Sequence, residues 1–371
     1  MQPQTDYVQP ERPLSKFVTF DLQKLENSDN LSIAYIDGTE WQCVTETSQW
    51  GDIRHGIYIS IDALLDTTRP EFNWLKPSKT MSNGHPAHRL KTIRLRKALS
   101  QGLLIPLSTD MSPYVDPLYA TWPPDYFDLL LGIERYEPPV PAALTGDCVK
   151  GTPGFDKYTR IENGKNFPGL FTEEAGQVRI TEKIHGTNFR VGLVKLEDGT
   201  WKYCVGSHNT EKDPDGYTIY ARIARRFFPI EKLMQMLLDS ETKESFIIYG
   251  EIYGSGIQDL IYGCKVDEKY VRIFDVNRDG LFRGLEYIES VASRLGIQTV
   301  PLLYRGEFSV AKIKELRDGM STIPGANNVR EGIVVTSEPE LEVNTKSFKG
   351  RKILKYISDS YLERKGAKDG H

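Results

Sequence analysis

Apolar and polar residues alternate in short runs through the first hundred positions, the period of two that a half-buried strand requires. Phe17-Val18-Thr19-Phe20, Leu31-Ser32-Ile33-Ala34-Tyr35-Ile36, Trp41-Gln42-Cys43-Val44 and Gly56-Ile57-Tyr58-Ile59-Ser60-Ile61 each predict a strand. Asp37-Gly38, between the second and third, predicts a hairpin turn. Ser100-Gln101-Gly102-Leu103-Leu104-Ile105-Pro106-Leu107 predicts a closing strand. Short strands at this spacing predict a small β-barrel or sandwich over residues 1–140. The pattern then breaks at Pro138-Pro139-Val140-Pro141, and the glycines and prolines up to Gly154 predict a linker over 141–154. Beyond it, residues 155–371 mix two periods. Helices are expected over 217–228 and 231–239, split by Pro229, and over 286–295, stopped by Gly296. Phe246-Ile247-Ile248-Tyr249 and Val271-Arg272-Ile273-Phe274 predict strands between them. The expected class is two domains, a β-barrel followed by a mixed α and β unit built on one or two sheets.

Composition changes this picture little. A hydrophobic content of 39% with 26% charged residues is that of a globular chain, and 371 residues exceed one small core. Among them there is no apolar run of about 18 residues, so no membrane-spanning helix is expected. The polar start, Met1-Gln2-Pro3-Gln4-Thr5-Asp6, has no apolar stretch of a secretory leader. Cys43, Cys148, Cys204 and Cys264 are dispersed, which argues against structural zinc and a disulfide framework. An intracellular, cytoplasmic setting follows as the expectation. The net charge of −4 does not advertise a polyanion partner. Any such grip must come from local patches, and residues 89–97 supply one, with Arg89, Lys91, Arg94, Arg96 and Lys97. A half-buried strand with a solvated basic face is the plainer reading of that run.

The most informative segment is Thr181-Glu182-Lys183-Ile184-His185-Gly186-Thr187-Asn188. Its lysine leaves an alternating strand, Gln177-Val178-Arg179-Ile180-Thr181, and a glycine follows three residues later, allowing close backbone approach. A lysine is nucleophilic only as the neutral amine, so a pKa of roughly 10.4 must be lowered by neighbouring cations or a metal. Further segments share this grammar of a charged or aromatic residue at a strand end. They are Tyr249-Gly250-Glu251-Ile252-Tyr253-Gly254, Arg272-Ile273-Phe274-Asp275-Val276 and Arg330-Glu331-Gly332-Ile333-Val334-Val335. The last is the cationic stretch 346–355, holding Lys346, Lys349, Arg351, Lys352 and Lys355.

This order resembles the covalent nucleotidyltransferases, which comprise the polynucleotide ligases and RNA capping enzymes, across residues 160–361. Lys-x-His-Gly-x-Asn is similar to RNA ligases. The preceding β-rich unit, with Arg-Leu-Lys-Thr-Ile-Arg-Leu-Arg, is similar to the front module of the Deinococcus-type RNA ligases. That resemblance implies an OB-fold-like barrel ahead of an α/β nucleotidyltransferase domain with antiparallel sheets. It implies an ATP-dependent ligase joining 3′-hydroxyl and 5′-phosphate ends through lysyl–AMP and polynucleotide–adenylate intermediates. The implied substrate is a nicked RNA or RNA/DNA duplex with ribonucleotides on the 3′-hydroxyl side, acted on by a monomer.

Residue roles implied by the family follow the motifs. Lys183 is the nucleophile, with Glu182, Ile184 and Asn188 beside it as nucleotide contacts. Lys352 and Lys355 neutralise the α-phosphate and lower the Lys183 pKa, and which of them touches phosphate is open. Glu331 and Glu251 hold Mg²⁺ or Mn²⁺ through oxygen, Glu251 also reaching ribose hydroxyls. Phe274 stacks on adenine or is simply core. His185 and Asn188 orient polynucleotide phosphates. The family's arginine-bearing segment reads Gly206-Ser207-His208-Asn209 here, so His208 or Arg190 takes that place. Lys157 and Arg160 are implied contacts to the phosphate end, and Arg89, Lys91, Arg94 and Arg96 to the duplex. A GTP-using capping enzyme and a nucleic-acid binder with an inactive transferase domain are the competing readings.

Overall fold

The computed structural model describes residues 12–107, 123, 125–137, 146–172, 176–345 and 347–364. Lys346 and residues 141–145 of the expected linker lie outside the described residues. The chain divides into two compact units: residues 1–138, 165–169 and 362–371, and residues 139–164 and 170–361.

In the first unit, one long strand, Ser15–Lys24, serves two neighbours. Its first half pairs antiparallel with His55–Ile59 and its second half with Leu31–Ile36. The resulting sheet has the order Leu103–Ile105, His55–Ile59, Ser15–Lys24, Leu31–Ile36, Gln42–Glu46, and a four-stranded sheet accompanies it. Alternation explains the interior: Val18, Phe20, Ala34, Ile36, Trp41, Cys43, Trp50 and Tyr58 share one buried cluster. Trp50 satisfies its indole by donating to Thr45 Oγ1 at 2.9 Å.

Two expected strands are split. The run 100–107 breaks at Gly102, which has φ +117°, and a Cβ there would lie 2.5 Å from the Ile59 carbonyl. The basic run 89–97 also divides. Arg89 ends the strand Pro86–Arg89, whereas Thr92–Leu95 pairs with Ala98–Gln101 across a tight turn at Arg96 and Lys97.

Arg89 is a correction to the expected nucleic-acid surface. It is buried, bonds Asp62 Oδ1 at 2.5 Å and lies 4.0 Å over the Tyr136 ring. Its alternating position on a strand aims it inward. Arg89→Ala would break a buried guanidinium–carboxylate pair with Asp62, a cost of about 3–5 kcal/mol. Urea unfolding of the variant should show a loss of that size, recovered in large part by Arg89→Met combined with Asp62→Asn.

The second unit carries two sheets. One has the order Glu162–Asn163, Ile353–Ile357, Gly332–Glu338, Gln177–Lys183, Leu302–Glu307, antiparallel apart from its first pair. The other runs Glu211–Lys212, Trp201–Ser207, Thr187–Lys195, Ser245–Gly254, Lys269–Arg278, Leu281–Phe282, antiparallel throughout. Helices Ile219–Phe227, Ile230–Asp239 and Leu285–Leu295 bury their apolar faces with this second sheet in the largest core. Their ends follow local chemistry. Thr218 caps the first by accepting from Ala221 N, Pro229 starts the second, and Gly296 at φ +72° ends the third. The expected helices and strands of this domain are therefore present, each within a few residues of the predicted bounds, and sheets dominate over helices.

Candidate active site

Lys183 is the last residue of its strand, and the sheet register fixes its neighbours. Lys183 faces Gly332, and Thr181 faces Val334, which faces Lys355 on the next strand. The Lys183 ammonium lies 2.8 Å from Glu331 Oε2, with the Glu331 side chain only 3% exposed. Glu331 immediately precedes the strand Gly332–Glu338, and its carbonyl accepts from Ser358 N at 2.9 Å.

Gly186 has a tighter reason to be glycine than the expected access to phosphate. A Cβ there would lie 2.2 Å from the Ile252 carbonyl and 2.8 Å from Glu251 Cγ. Without a side chain, the turn after the lysine closes onto the Glu251 strand, and the Gly186 N–H bonds the Glu251 carboxylate. That contact brings the ends of both sheets together around one amine. Glu251 itself is half-buried and stands in register between Asn188 and Arg272.

The electrostatics reverse one expectation. Burial alone would lower the Lys183 pKa, but the Glu331 and Glu251 carboxylates outweigh it, and the net shift is upward. Without ligand Lys183 is therefore held as the ammonium. The penalty for crowding two cations falls on Lys355, which burial and then Lys183 push down to about 8. Glu251 is raised to about 8, chiefly by burial, with Lys183 opposing and Glu331 reinforcing.

The cationic stretch at the end of the domain is divided by strand alternation. Lys355 is buried in the electrostatic company of Lys183 and Glu331. Lys352, an odd number of residues away, lies with its ammonium 5.1 Å over the Phe171 ring. Arg351 is buried, bonding Asp275 Oδ2 at 2.7 Å and Glu340 Oε1 at 2.9 Å above the Phe282 ring. The structure thus sets Lys355, and not Lys352, in the electrostatic company of Lys183.

His185 is placed otherwise than expected. It is buried, its Nε2 lies 2.8 Å from Asp259 Oδ1, and its Nδ1 lies 3.0 Å from the Tyr361 hydroxyl. Its backbone N–H donates to the Tyr262 hydroxyl at 2.6 Å. With both ring nitrogens occupied, the imidazole braces the turn in this structure and does not reach outward to phosphates. Asp259, Tyr262 and Tyr361 were not legible as site residues, because only tertiary packing brings them to the histidine.

Glu182 points to the strand face opposite Lys183, where its Oε2 accepts from Thr322 N and Oγ1 at 2.8 Å each. Ile184 is buried among Tyr253, Tyr262, Val300 and Ile323. Asn188 Oδ1 is buried and, among the described residues, has no hydrogen-bond partner. Phe274 is the extra residue of a β-bulge, since Tyr249 pairs with Asp275 and Gly250 with Ile273. Its half-buried ring meets Tyr158 edge-on with centroids 4.7 Å apart.

Arg190 is a further correction. It is buried against Phe155, and its guanidinium donates to the Ser207 and Phe155 carbonyls at 3.0 and 2.5 Å. It organises the segment bearing His208 and is not free for phosphate. His208 is half-buried, and burial, then Arg190, Lys157 and Arg160, lower its pKa, so it is neutral near pH 7. Lys157 and Arg160 are exposed.

Comparison with known proteins agrees with this architecture. Residues 176–357 match the RNA ligase family model, and residues 17–107 match an OB-fold domain model. The Naegleria gruberi RNA ligase, in a variant solved with AMP and manganese, aligns at a TM-score of 0.75 and 24% identity, covering 95% of this chain and 98% of that one. A variant solved with ATP and manganese aligns equally well, at a TM-score of 0.75, 24% identity and the same coverage. The ligand-free form of another variant aligns at 0.73 and 24% identity, covering 95% and 97%. With Lys183 ending its strand, Glu331 just before the next, and Glu251 and Lys355 within theirs, the segment 176–357 belongs to the RNA ligase family, behind an OB-fold domain over 17–107.

Proposed function

We propose that this protein is an ATP-dependent RNA ligase that seals 5′-phosphate to 3′-hydroxyl ends, Lys183 carrying AMP between two half-reactions. The observation that carries the reading is the Lys183–Glu331 pair at 2.8 Å, with Glu251 and Lys355 in its electrostatic field. A primary amine set among two carboxylates and a buried ammonium can exchange its ion pair for a phosphate. The Naegleria gruberi enzyme was solved with ATP and manganese, which supports the same nucleotide and a divalent cation here. Glu331 and Glu251 suit Mg²⁺ or Mn²⁺, which bind through one or two carboxylates and complete their shell with substrate phosphate oxygens and water. Such a cation, when bound, neutralises charge on the phosphates and on Glu331.

Lys183 must first give up a proton. Its nitrogen then attacks the α-phosphorus of ATP, a P–N bond forms, and the P–O bond to pyrophosphate breaks. Lys355 offsets negative charge at the α-phosphate. A 5′-phosphate oxygen of RNA next displaces the lysine from phosphorus, and finally a 3′-hydroxyl attacks that 5′-phosphate and releases AMP. Lys157, Arg160 and His208 form an exposed to half-buried basic lip on the same unit, suited to the phosphate end. We take the substrate to be a nick in an RNA or RNA/DNA duplex, bound by a monomer in an intracellular compartment, as in the Deinococcus-type enzymes.

Incubation with α-labelled nucleotide and manganese tests the proposal. Label from ATP retained on the denatured protein is the expected result; label from GTP alone points to a capping enzyme, and none to a binder. On nicked duplexes differing only in the 3′-terminal sugar, sealing should be faster by about tenfold or more with a ribose than with a deoxyribose, if a 2′-hydroxyl is read by a hydrogen bond. Equal rates would remove the RNA-specific part of the reading.

A further inference from the structure

At the edge of the larger sheet of the second unit, a thiol and an amine stand in direct contact. Cys148 forms an antiparallel bridge with Lys212, which lies in the edge strand Glu211–Lys212. Val149 N donates to the Glu211 carbonyl at 3.2 Å, and Asp213 N to the Asp147 carbonyl at 2.8 Å. Those bonds flank the pair without joining it, the arrangement in which opposed residues come closest, with Cα atoms about 4.5 Å apart. The Lys212 ammonium donates to Cys148 Sγ at 3.1 Å and to the Gly146 carbonyl at 3.0 Å. Lys212 is 3% exposed, and among the described residues no carboxylate lies within ion-pair distance of it. The adjacent Glu211 carboxylate is taken by Lys202 and Thr152. A buried ammonium without a counter-ion is costly, and this one is aimed at sulfur.

Cys148 is exposed, whereas Cys43, Cys204 and Cys264 are buried. Its residue is therefore open to a small oxidant from solvent while its sulfur touches an amine. The thiolate is the form that oxidants attack, and a neighbouring lysine ammonium is a partner that stabilises its charge. We propose that Cys148 and Lys212 are a modification site, at which a peroxide joins them through a reversible S–N bond. In the first step sulfur attacks a peroxide oxygen. An S–O bond forms, the O–O bond breaks, and the released hydroxide takes a proton and leaves as water. Sulfur loses two electrons, peroxide gains them, and Cys148 becomes a sulfenic acid. Lys212 then gives a proton to solvent, and its neutral nitrogen attacks sulfur. An S–N bond forms, the S–O bond breaks, and the departing hydroxide takes a second proton from nitrogen and leaves as water. The product is a sulfenamide with two hydrogens fewer than the thiol and amine together. A thiol reductant attacks its sulfur, breaks the S–N bond and returns the amine, and a second thiol then frees Cys148. The link fastens the chain at 146–149 covalently to the sheet edge. The proposal stands apart from the ligase reading, since neither residue belongs to the motifs that carry it.

Treatment of the folded protein with hydrogen peroxide, then digestion without reductant and mass spectrometry, tests the proposal. The expected product is a pair of peptides joined through Cys148 and Lys212, two hydrogens lighter than the separate peptides together. Dithiothreitol should split it into the two unmodified peptides. Lys212→Arg keeps the positive charge but stays protonated and offers no nucleophile, so oxidation should stop at the sulfenic acid. Dimedone, which traps that acid, should then label Cys148 in the variant and leave the parent largely unlabelled. Cys148→Ser, a conservative change at an exposed residue, should give neither product. Oxidation of Cys148 in the parent to a sulfinic acid, or to a disulfide between two copies, without a link to Lys212 overturns the proposal. So does a Cys148 that peroxide leaves untouched, or equal dimedone labelling of parent and Lys212→Arg. The decisive result is read on the parent protein, so it does not depend on how either variant folds.

Discussion

Lys183→Arg should fold normally and never acquire AMP. The guanidinium keeps a positive charge beside Glu331, so the ion pair that joins the lysine strand to the Glu331 strand persists. It cannot supply a neutral nitrogen, because arginine stays protonated at any pH at which proteins fold. Loss of an obligate nucleophile costs on the order of 10⁴–10⁶ in rate. Intact-protein mass spectrometry after incubation with ATP and manganese should show the AMP adduct on the parent and none on the variant. A second measurement separates lost chemistry from lost structure. RNA carrying a pre-formed 5′-adenylate needs no lysine nucleophile, so Lys183→Arg should still join it to a 3′-hydroxyl end. An AMP adduct on the variant would place the nucleophile elsewhere.

How much of this site was legible beforehand depended on whether a residue acts from its own strand or through its neighbours. Lys183, Glu251 and Glu331 were legible because each stands near a glycine on or next to a strand, and strands in register bring such positions together. The Gly186 requirement was visible, yet its cause, the 2.2 Å approach to Ile252, belongs to the opposing sheet. Cations were the poorest guides. Arg89, Arg190 and Arg351 read alike with Lys355 as positive charges available to phosphate, but each of the three arginines spends its donors inside the fold. A planar guanidinium with several donors can satisfy buried carboxylates and carbonyls at once, which charge counting along a chain does not register. His185 failed similarly, since Asp259 and Tyr361 lie far from it in sequence. Alternation alone predicted a small barrel or sandwich, whereas the strand breaks were set by Gly102 and the Arg96–Lys97 turn.

Lys355→Met should make the ligand-free protein more stable at pH 7 while crippling AMP transfer. Lys355 is buried beside Lys183, and its pKa falls from 10.5 to about 8 on folding. Below pH 8 both folded and unfolded chains hold the proton, so the full penalty of the buried ammonium is present. Between about 8 and 10.5 the unfolded chain binds the extra proton, and stability from this residue rises with pH. Above 10.5 the group is neutral in both states, and the penalty is gone. Methionine has a similar length and no charge, so its stabilisation should be greatest at neutral pH and fade toward pH 10. A shift of this size corresponds to on the order of 3 to 3.5 kcal/mol, and each kcal/mol moves the thermal midpoint by about 2–4 °C in a domain of this size. Glu251 runs the other way: raised to about 8, it costs stability as pH climbs from 4.5 to 8. The combined contribution of these two groups to ligand-free stability is lowest near pH 8. The Lys183 ion pair offers no explanation for keeping such an ammonium, since it would gain from its removal. A phosphate does, and removing one preorganised charge from it should lower the rate of lysyl–AMP formation by about 10²–10³. A variant that lost stability at pH 7, or kept its rate, would show that Lys355 serves the fold and not the nucleotide.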